Sequence, residues 1–284
     1  MNIGVSIIRY TILNVRVEAS CANLVHVFII SYFSTGNNMT TLAIIGGTGL
    51  SQLAALNITR HETVNTPYGN PSADFIIGEI QNKRVIFLAR HGNPHAIPPH
   101  KINYRANIWA LKHLGVKDII AVAAVGGITT KMTPAHLAIP DQIIDYTYSR
   151  EHTFFDGNDG NVIHIDFTYP YSQKLRAGLI TAAASVNLQV SPIATYGCTQ
   201  GPRLETAAEI ARMERDGCDI VGMTGMPEAT LAKELGMDYA ALAVMANWGA
   251  GKTDGEITMA EIEENLHHGM ANAAVLLQTF VAAY

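Results

Sequence analysis

Short apolar runs that stop at glycines or at a charged pair alternate with helix-periodic stretches from residue 42 almost to the end, and few architectures accommodate that pattern. Residues 42–45 run into Gly46-Gly47-Thr48-Gly49, residues 84–89 into Arg90-His91-Gly92, and residues 118–125 into Gly126-Gly127. Phe75–Ile80 and residues 84–89 flank Gln81-Asn82-Lys83 as a β-hairpin. Further strands are expected over 137–145, 190–198, 219–223 and 239–246. Helices are expected over 103–114, 172–186, 205–216 and 226–235, and from 258 to about 281, where Ile262, Leu266, Met270, Ala273 and Leu277 share one face. No repeat or linker-like segment interrupts the series. The expectation is an α/β protein, one domain with a central mixed β-sheet flanked by helices.

Composition narrows the function classes. The 284 residues are 48% hydrophobic and 15% charged with 24 glycines, which suits a well-buried α/β chain. Net charge is −5 and no Lys/Arg cluster exceeds a pair, so binding to a nucleic-acid backbone is not expected, although one arginine and backbone amides suffice for a single phosphate. Cys21, Cys198 and Cys218 have neither paired nor metal-ligand spacing and read as reduced thiols of a cytoplasmic protein. No apolar run reaches the roughly 18–20 residues of a membrane span. Residues 1–38 make a poor signal peptide, and Met39-Thr40-Thr41 ahead of an apolar strand resembles a natural start. Residues 1–38 are therefore expected to be a non-essential extension, with 39–284 as the functional domain.

Several segments carry candidate chemistry. The Gly46-Gly47-Thr48-Gly49 turn can bring backbone N–H groups and the Thr48 hydroxyl to an anion, or it is a plain tight turn. It lacks the Gly-Lys-Ser/Thr of a P-loop and the third glycine of a dinucleotide fingerprint. Arg90 and His91 end an apolar strand, where α/β proteins place ligand contacts, and the Arg90 fork suits a phosphate; a solvated loop arginine is the plainer alternative. His91, His95 and His100 do not suggest a metal, because the prolines between them exclude an aligning helix. The strand ending at Ala124-Val125-Gly126-Gly127 offers backbone amides. His164 reads as structural or as facing a ligand or a neighbouring subunit. The densest stretch is Gly201-Pro202-Arg203-Leu204-Glu205-Thr206, then Gly222-Met223-Thr224-Gly225-Met226-Pro227-Glu228, closing at Asn247.

With Gly46–Gly49, Arg90-His91-Gly92, Asn103-Tyr104, Gly201-Pro202-Arg203 and Met223-Thr224-x-x-Pro227-Glu228 in that order, the chain resembles the trimeric purine-nucleoside phosphorylase and methylthioadenosine phosphorylase family from about residue 42 to 277. The resemblance implies a pentosyl transfer in which phosphate attacks the anomeric carbon of a nucleoside. It implies phosphate contacts at Thr48, Arg90, His91, the Ala123 and Ala124 backbone and Thr224, with Met223 against the ribose. No cofactor or metal is implied, since phosphate is the co-substrate and nucleophile and catalysis is positioning plus electrostatics. A homotrimer is implied as well.

The resemblance also assigns specificity. Methylthioadenosine phosphorylases carry aspartates where Asn247 and Gly249 stand and a small hydroxyl residue at Glu205. The match here is to 6-oxopurine enzymes, in which Glu205 accepts from N1–H and Asn247 donates to O6 or bridges O6 and N7, stabilising the departing base. Trp248 and Gly249 fall in the same substrate-binding segment. The plainer readings are a turn residue at Asn247 and a helix-N-terminal carboxylate at Glu205. Inosine and guanosine phosphorylases place a histidine near the start of the last helix to bind the 5′-hydroxyl; Met259 occupies that position, with Ile262 one turn on. A thioether there packs against a methylthio group rather than donating to a hydroxyl, unless Met259 is only core filling. Together these positions direct the expectation to S-methyl-5′-thioinosine, giving hypoxanthine and 5-methylthioribose 1-phosphate. Inosine/guanosine or methylthioadenosine phosphorolysis remain as alternatives, and a dehydrogenase-like nucleotide module built on Gly47-x-Gly49 is the alternative of a different class.

Overall fold

The computed structural model describes residues 41–47, 56–157 and 162–284, which belong to one compact unit, Met39–Tyr284. The expected extension over residues 1–38, together with Cys21 and Thr48, lies outside the described residues.

A short buried strand near the start of the described chain organises one half of the sheet. β1 (Thr41–Gly46) lies between β4 (Lys83–Ala89) and β5 (Val116–Gly127), parallel to both. Leu42, Ile44 and Ile45 are all at most 1% exposed, as a strand covered on both faces requires. β3 (Phe75–Ile80) forms the expected hairpin with β4. Its loop is only Gln81 and Asn82, both at positive φ (49° and 62°), because Lys83 already pairs with Ile80. β2 (Asn57–Glu62) adds an antiparallel edge strand. The sequence reading has no strand there, because Asn-Ile-Thr-Arg-His-Glu is mostly polar and exposed.

Beyond β5 the sheet divides. One edge of β5 carries β1 and then, at Gly126 and Gly127, β10 (Ile220–Gly222); the other carries β11 (Asp238–Trp248) in parallel along nearly its whole length. The expected strand over 137–145 is two strands: β6 (Leu137–Ala138) pairs with β11, and β7 (Gln142–Asp145) joins the β10 branch. The expected strand over 190–198 divides likewise into β8 (Val190–Ser191), beside β6, and β9 (Thr195–Cys198), between β10 and β7. Pro140 and Pro192 interrupt each run because neither has an N–H for a ladder, and the chain crosses from one branch to the other there.

Successive side chains of the central strands point to opposite faces, and each face has its own helices. Ile45, Leu88, Ile119 and Tyr239 pack with α1 (Tyr104–His113) and α4 (Gly225–Glu234). Leu42, Ile44, Phe87, Ile120 and Leu242 pack with α2 (Gln173–Ser185) and α5 (Met259–Ala283). The remaining helix, α3 (Ala207–Arg215), covers a smaller cluster with Ile210, Met213, Cys218 and Val221. The fold is α/β with a mixed sheet between helices, as the alternation of runs predicts.

Close approach fixes one glycine. A Cβ on Gly222, at the tip of β10, would sit 2.1 Å from the hydroxyl of Tyr196, a fully buried residue of β9. Gly222→Ala is expected to lower unfolding free energy by about 1–3 kcal/mol through overpacking, read from the urea midpoint.

Candidate active site

β1, β4, β5 and β11 are parallel, so their carboxyl ends share one edge, and the division of the sheet opens a gap there. β1 pairs with β5 only as far as Ala121, and β10 joins at Gly126. On that edge no strand among the described residues pairs with residues 122–125. Arg90, the residue after β4, reaches this gap: its backbone N–H donates to Gly46 and its Nη1 to the Val122 carbonyl at 3.0 Å. Ala123 and Ala124 follow directly.

Arg90 is 2% exposed and is no solvated loop residue. Its Nε lies 2.8 and 2.9 Å from the two carboxylate oxygens of Glu228, itself 1% exposed in the first turn of α4. Burial works against the guanidinium charge, but the carboxylate and the surrounding groups more than offset it, and the Arg90 pKa is held above its ordinary value. Burial drives Glu228 toward the neutral acid and Arg90 opposes it; hydrogen bonds this short, at the amino end of a helix, are those of an ion pair.

His91 is half-buried, and its Nδ1 lies 2.9 Å from the Ile97 carbonyl. A carbonyl only accepts, so Nδ1 carries the proton and Nε2 keeps a lone pair. Burial lowers its pKa to about 4, with Arg90 and His95 reinforcing the shift against the Ile97 hydrogen bond. The His95 ring stacks on it at 4.3 Å.

The two glycine-containing motifs meet at a sulfur atom. Gly201 has φ +61°, and a Cβ there would fall 2.4 Å from Met223 Sδ, so the Met223 side chain lies across Gly201. Arg150, 8% exposed, joins the same two segments from behind. It donates to the carbonyls of Thr199 and Gln200 through Nη2 and to those of Met223 and Met226 through Nη1, while its guanidinium lies 5.5 Å from the Tyr104 ring centroid. Thr224 is 7% exposed at the amino end of α4, and its side chain does not cap that helix. Glu205 lies before α3, not within it: the helix begins at Ala207, capped by Thr206 and Glu209. Its carboxylate receives the Thr199 hydroxyl at 2.6 Å. Thr199 and Glu205 line a cavity of about 410 Å3 with Tyr146, Tyr148 and Arg203.

Asn247 belongs to β11 and is not a turn residue. Register with β5 shifts between Met245 and Asn247, leaving Ala246 as an extra residue, and this bulge sets Asn247 opposite Gly126 and Trp248 opposite Gly127. The Asn247 amide lies over Gly126 and donates to the Trp248 carbonyl at 2.6 Å. Gly249 donates to the Gly127 carbonyl, and a Cβ on it would lie 3.2 Å from both that oxygen and Ile210. Met259, the first residue of α5, is 65% exposed, so it does not fill the core; Ile262 is half-buried. His164 is exposed.

The structure thus joins Arg90 to the β5 gap, Met223 to Gly201, and Asn247 to the tip of β5, while the single chain does not enclose Met259. Sequence reasoning missed the partners: Glu228 appears there only as a motif letter, and Thr199 and Arg150 not at all. The burial of Arg150 has no periodic signal, and most of its acceptors are backbone carbonyls. Among the described residues no group of three or more His, Cys, Asp or Glu is placed to hold a metal.

Comparison with known proteins places this geometry in a family. A model of the phosphorylase superfamily matches residues 41–282. The chain is 55% identical over 245 residues to a probable S-methyl-5′-thioinosine phosphorylase of Pseudomonas syringae pv. tomato, covering 86% of this chain and 100% of that protein. It is 50% identical over 231 residues to a 6-oxopurine nucleoside phosphorylase of Pyrococcus furiosus, covering 80% and 86%. Methylthioadenosine phosphorylase from Schistosoma mansoni in complex with adenine superposes with TM-score 0.82 at 29% identity, covering 86% of this chain and 91% of that one. The chain belongs to the phosphorylase superfamily.

Three measurements follow from these buried titratable groups. Glu228→Ala leaves Arg90 buried without its counter-ion and is expected to cost about 3–5 kcal/mol in urea unfolding. His91 protonates at about 4 when folded against an ordinary 6.5, so the unfolded chain takes up the proton first. Its contribution to stability is full above about pH 6.5 and is lost as pH falls toward about 4. An NMR titration of the folded protein should find the His91 ring neutral at pH 6, and His91→Asn should flatten the stability profile in that window.

Proposed function

We propose that the chain is a purine-nucleoside phosphorylase of the pentosyltransferase type that cleaves S-methyl-5′-thioinosine with phosphate, releasing hypoxanthine and 5-methylthioribose 1-phosphate in purine salvage. The observation that carries the base assignment is the pair of Glu205, outside its helix and lining a cavity, and Asn247, set at the tip of β5 by the Ala246 bulge. An acceptor and an amide suit the N1–H and O6 of a 6-oxopurine. Gly249 supports the reading, because its packing on Gly127 and Ile210 leaves little space for the second aspartate of an adenine-type pocket.

In this reading phosphate occupies the gap beside β5. Arg90, held by Glu228 and Val122, supplies the fixed charge. The Ala123 and Ala124 backbone, Thr224 at the amino end of α4, and Thr48 complete the cradle. The unprotonated Nε2 of His91 suits the hydroxyl of hydrogenphosphate. Met223, across Gly201, supports the ribose while positive charge develops at the anomeric carbon, and phosphate itself attacks that carbon. Negative charge on the departing purine is met by Asn247, with Glu205 holding the base. Trp248 and Gly249 border the base, and no cofactor takes part.

Met259 and Ile262 receive the 5′-methylthio group. The exposure of Met259 in the single chain fits a position that a neighbouring subunit of a homotrimer closes over. The buried reduced thiols Cys198 and Cys218 support a cytoplasmic location, and no helix among the described residues is long and apolar enough to cross a membrane.

A phosphate-dependent release assay with methylthioinosine, methylthioadenosine and inosine tests the substrate, with methylthioinosine expected to be fastest; faster cleavage of methylthioadenosine overturns the base assignment. Asn247→Asp is expected to move the preference toward the 6-amino base by roughly tenfold to a hundredfold in kcat/KM, the worth of one hydrogen bond to a charged group. Met259→His should raise inosine relative to methylthioinosine, and sedimentation should report a trimer.

A further inference from the structure

We infer that Thr199 is a positioning and specificity-determining residue: its hydroxyl fixes the Glu205 carboxylate so that the other oxygen faces the purine as an acceptor. The inference rests on the base-side reading above and adds a residue to it. Thr199 is the first residue after β9, 9% exposed, and its own N–H bonds the Gly222 carbonyl at 2.8 Å. That bond ties the Thr199 backbone to β10, so the hydroxyl projects from a rigid strand end. Oγ1 lies 2.6 Å from Glu205 Oε1, within the range of hydrogen bonds from hydroxyls to carboxylates. A second contact from Oγ1, to Gly222 at 3.3 Å, is longer and duplicates what the Thr199 N–H already supplies.

The other polar groups of the segment are engaged elsewhere. Arg203 is paired with Glu209 through two hydrogen bonds of 2.7 and 2.8 Å, and Gln200 accepts from Tyr148 and Arg150. Among the hydrogen bonds and ion pairs of the described residues, the Thr199 hydroxyl is the donor that holds Glu205. A hydroxyl has one proton. Donated to Oε1, it fixes the rotation of the carboxylate and leaves Oε2 for one more N–H. A carboxylate held as an acceptor matches a purine with a proton on N1, the 6-oxo form. It opposes a 6-aminopurine, whose N1 carries a lone pair. The discrimination therefore depends on Thr199 as well as on Glu205.

The experiment compares kcat/KM for methylthioinosine and methylthioadenosine in wild type, Thr199→Val and Thr199→Ser. Thr199→Val should lose roughly tenfold to a hundredfold on methylthioinosine, the effect of one hydrogen bond to a charged group, with far less change on methylthioadenosine. Thr199→Ser, which keeps the hydroxyl, should restore most of the loss. Thr199→Ala carries the same expectation where valine disturbs packing. In a Glu205→Ala background, Thr199→Val should have no further effect on the ratio of the two substrates. An equal loss on both substrates, a serine variant as poor as valine, or additive effects with Glu205→Ala would overturn the inference. A wild type inert toward methylthioinosine overturns the proposed function and this inference with it, whereas an active wild type with an unaffected Thr199→Val overturns this inference alone.

Discussion

A guanidinium held in the interior of a divided sheet is the constraint on which the rest of the site depends. Arg90 has to be charged to be useful to an anion, and burial works against charge. Glu228 resolves that conflict from a position 138 residues further along the chain, at the start of a helix packed on the same face of the sheet as α1. For the two to meet, β4 must end where β1 ends and β5 must continue past both. β10 must then stand aside far enough to leave residues 122–125 uncovered. Each requirement is a matter of strand length and register, so the ion pair records the correct assembly of the sheet.

The second organising contact is quieter. Arg150 gathers carbonyls from the Thr199-Gln200 segment and from the Met223–Met226 turn, so one planar group from a distant part of the chain sets the distance between two loops. Its acceptors are neutral, and the Tyr104 ring covers one face. The rigidity matters because Met223 must lie across Gly201 at a spacing that only a glycine permits. On the opposite side of the tip of β5, a single extra residue at Ala246 re-aims Asn247. Preorganisation of this kind suits a reaction whose nucleophile is a co-substrate, because the protein contributes position and charge and no bond-making atom.

Much of this was legible in the chain. Arg90 and His91 stood out because a charged pair ends an apolar run, and Glu205, Met223, Thr224 and Asn247 because they follow glycine-rich turns or strand ends. Regions where local pattern and tertiary pairing agree, such as the β3–β4 hairpin and α5, matched closely. Mismatches arose where pairing overrides pattern. A polar strand at the edge of the sheet has no apolar signal, which hid β2. The runs over 137–145 and 190–198 looked continuous, although each contains a proline at which the chain passes between branches.

By itself the sequence determined the α/β class and the order of most elements, because apolar periodicity and turn chemistry are local properties; which residues would meet a phosphate and a purine was implied by the family resemblance. Only the tertiary structure decided that Arg90 is paired with Glu228, that Thr199 holds Glu205, and that Asn247 faces the tip of β5. Those outcomes depend on register, on the Ala246 bulge and on burial. The first and third arise from contacts between segments far apart in the chain, and the second from the path of the loop between β9 and α3.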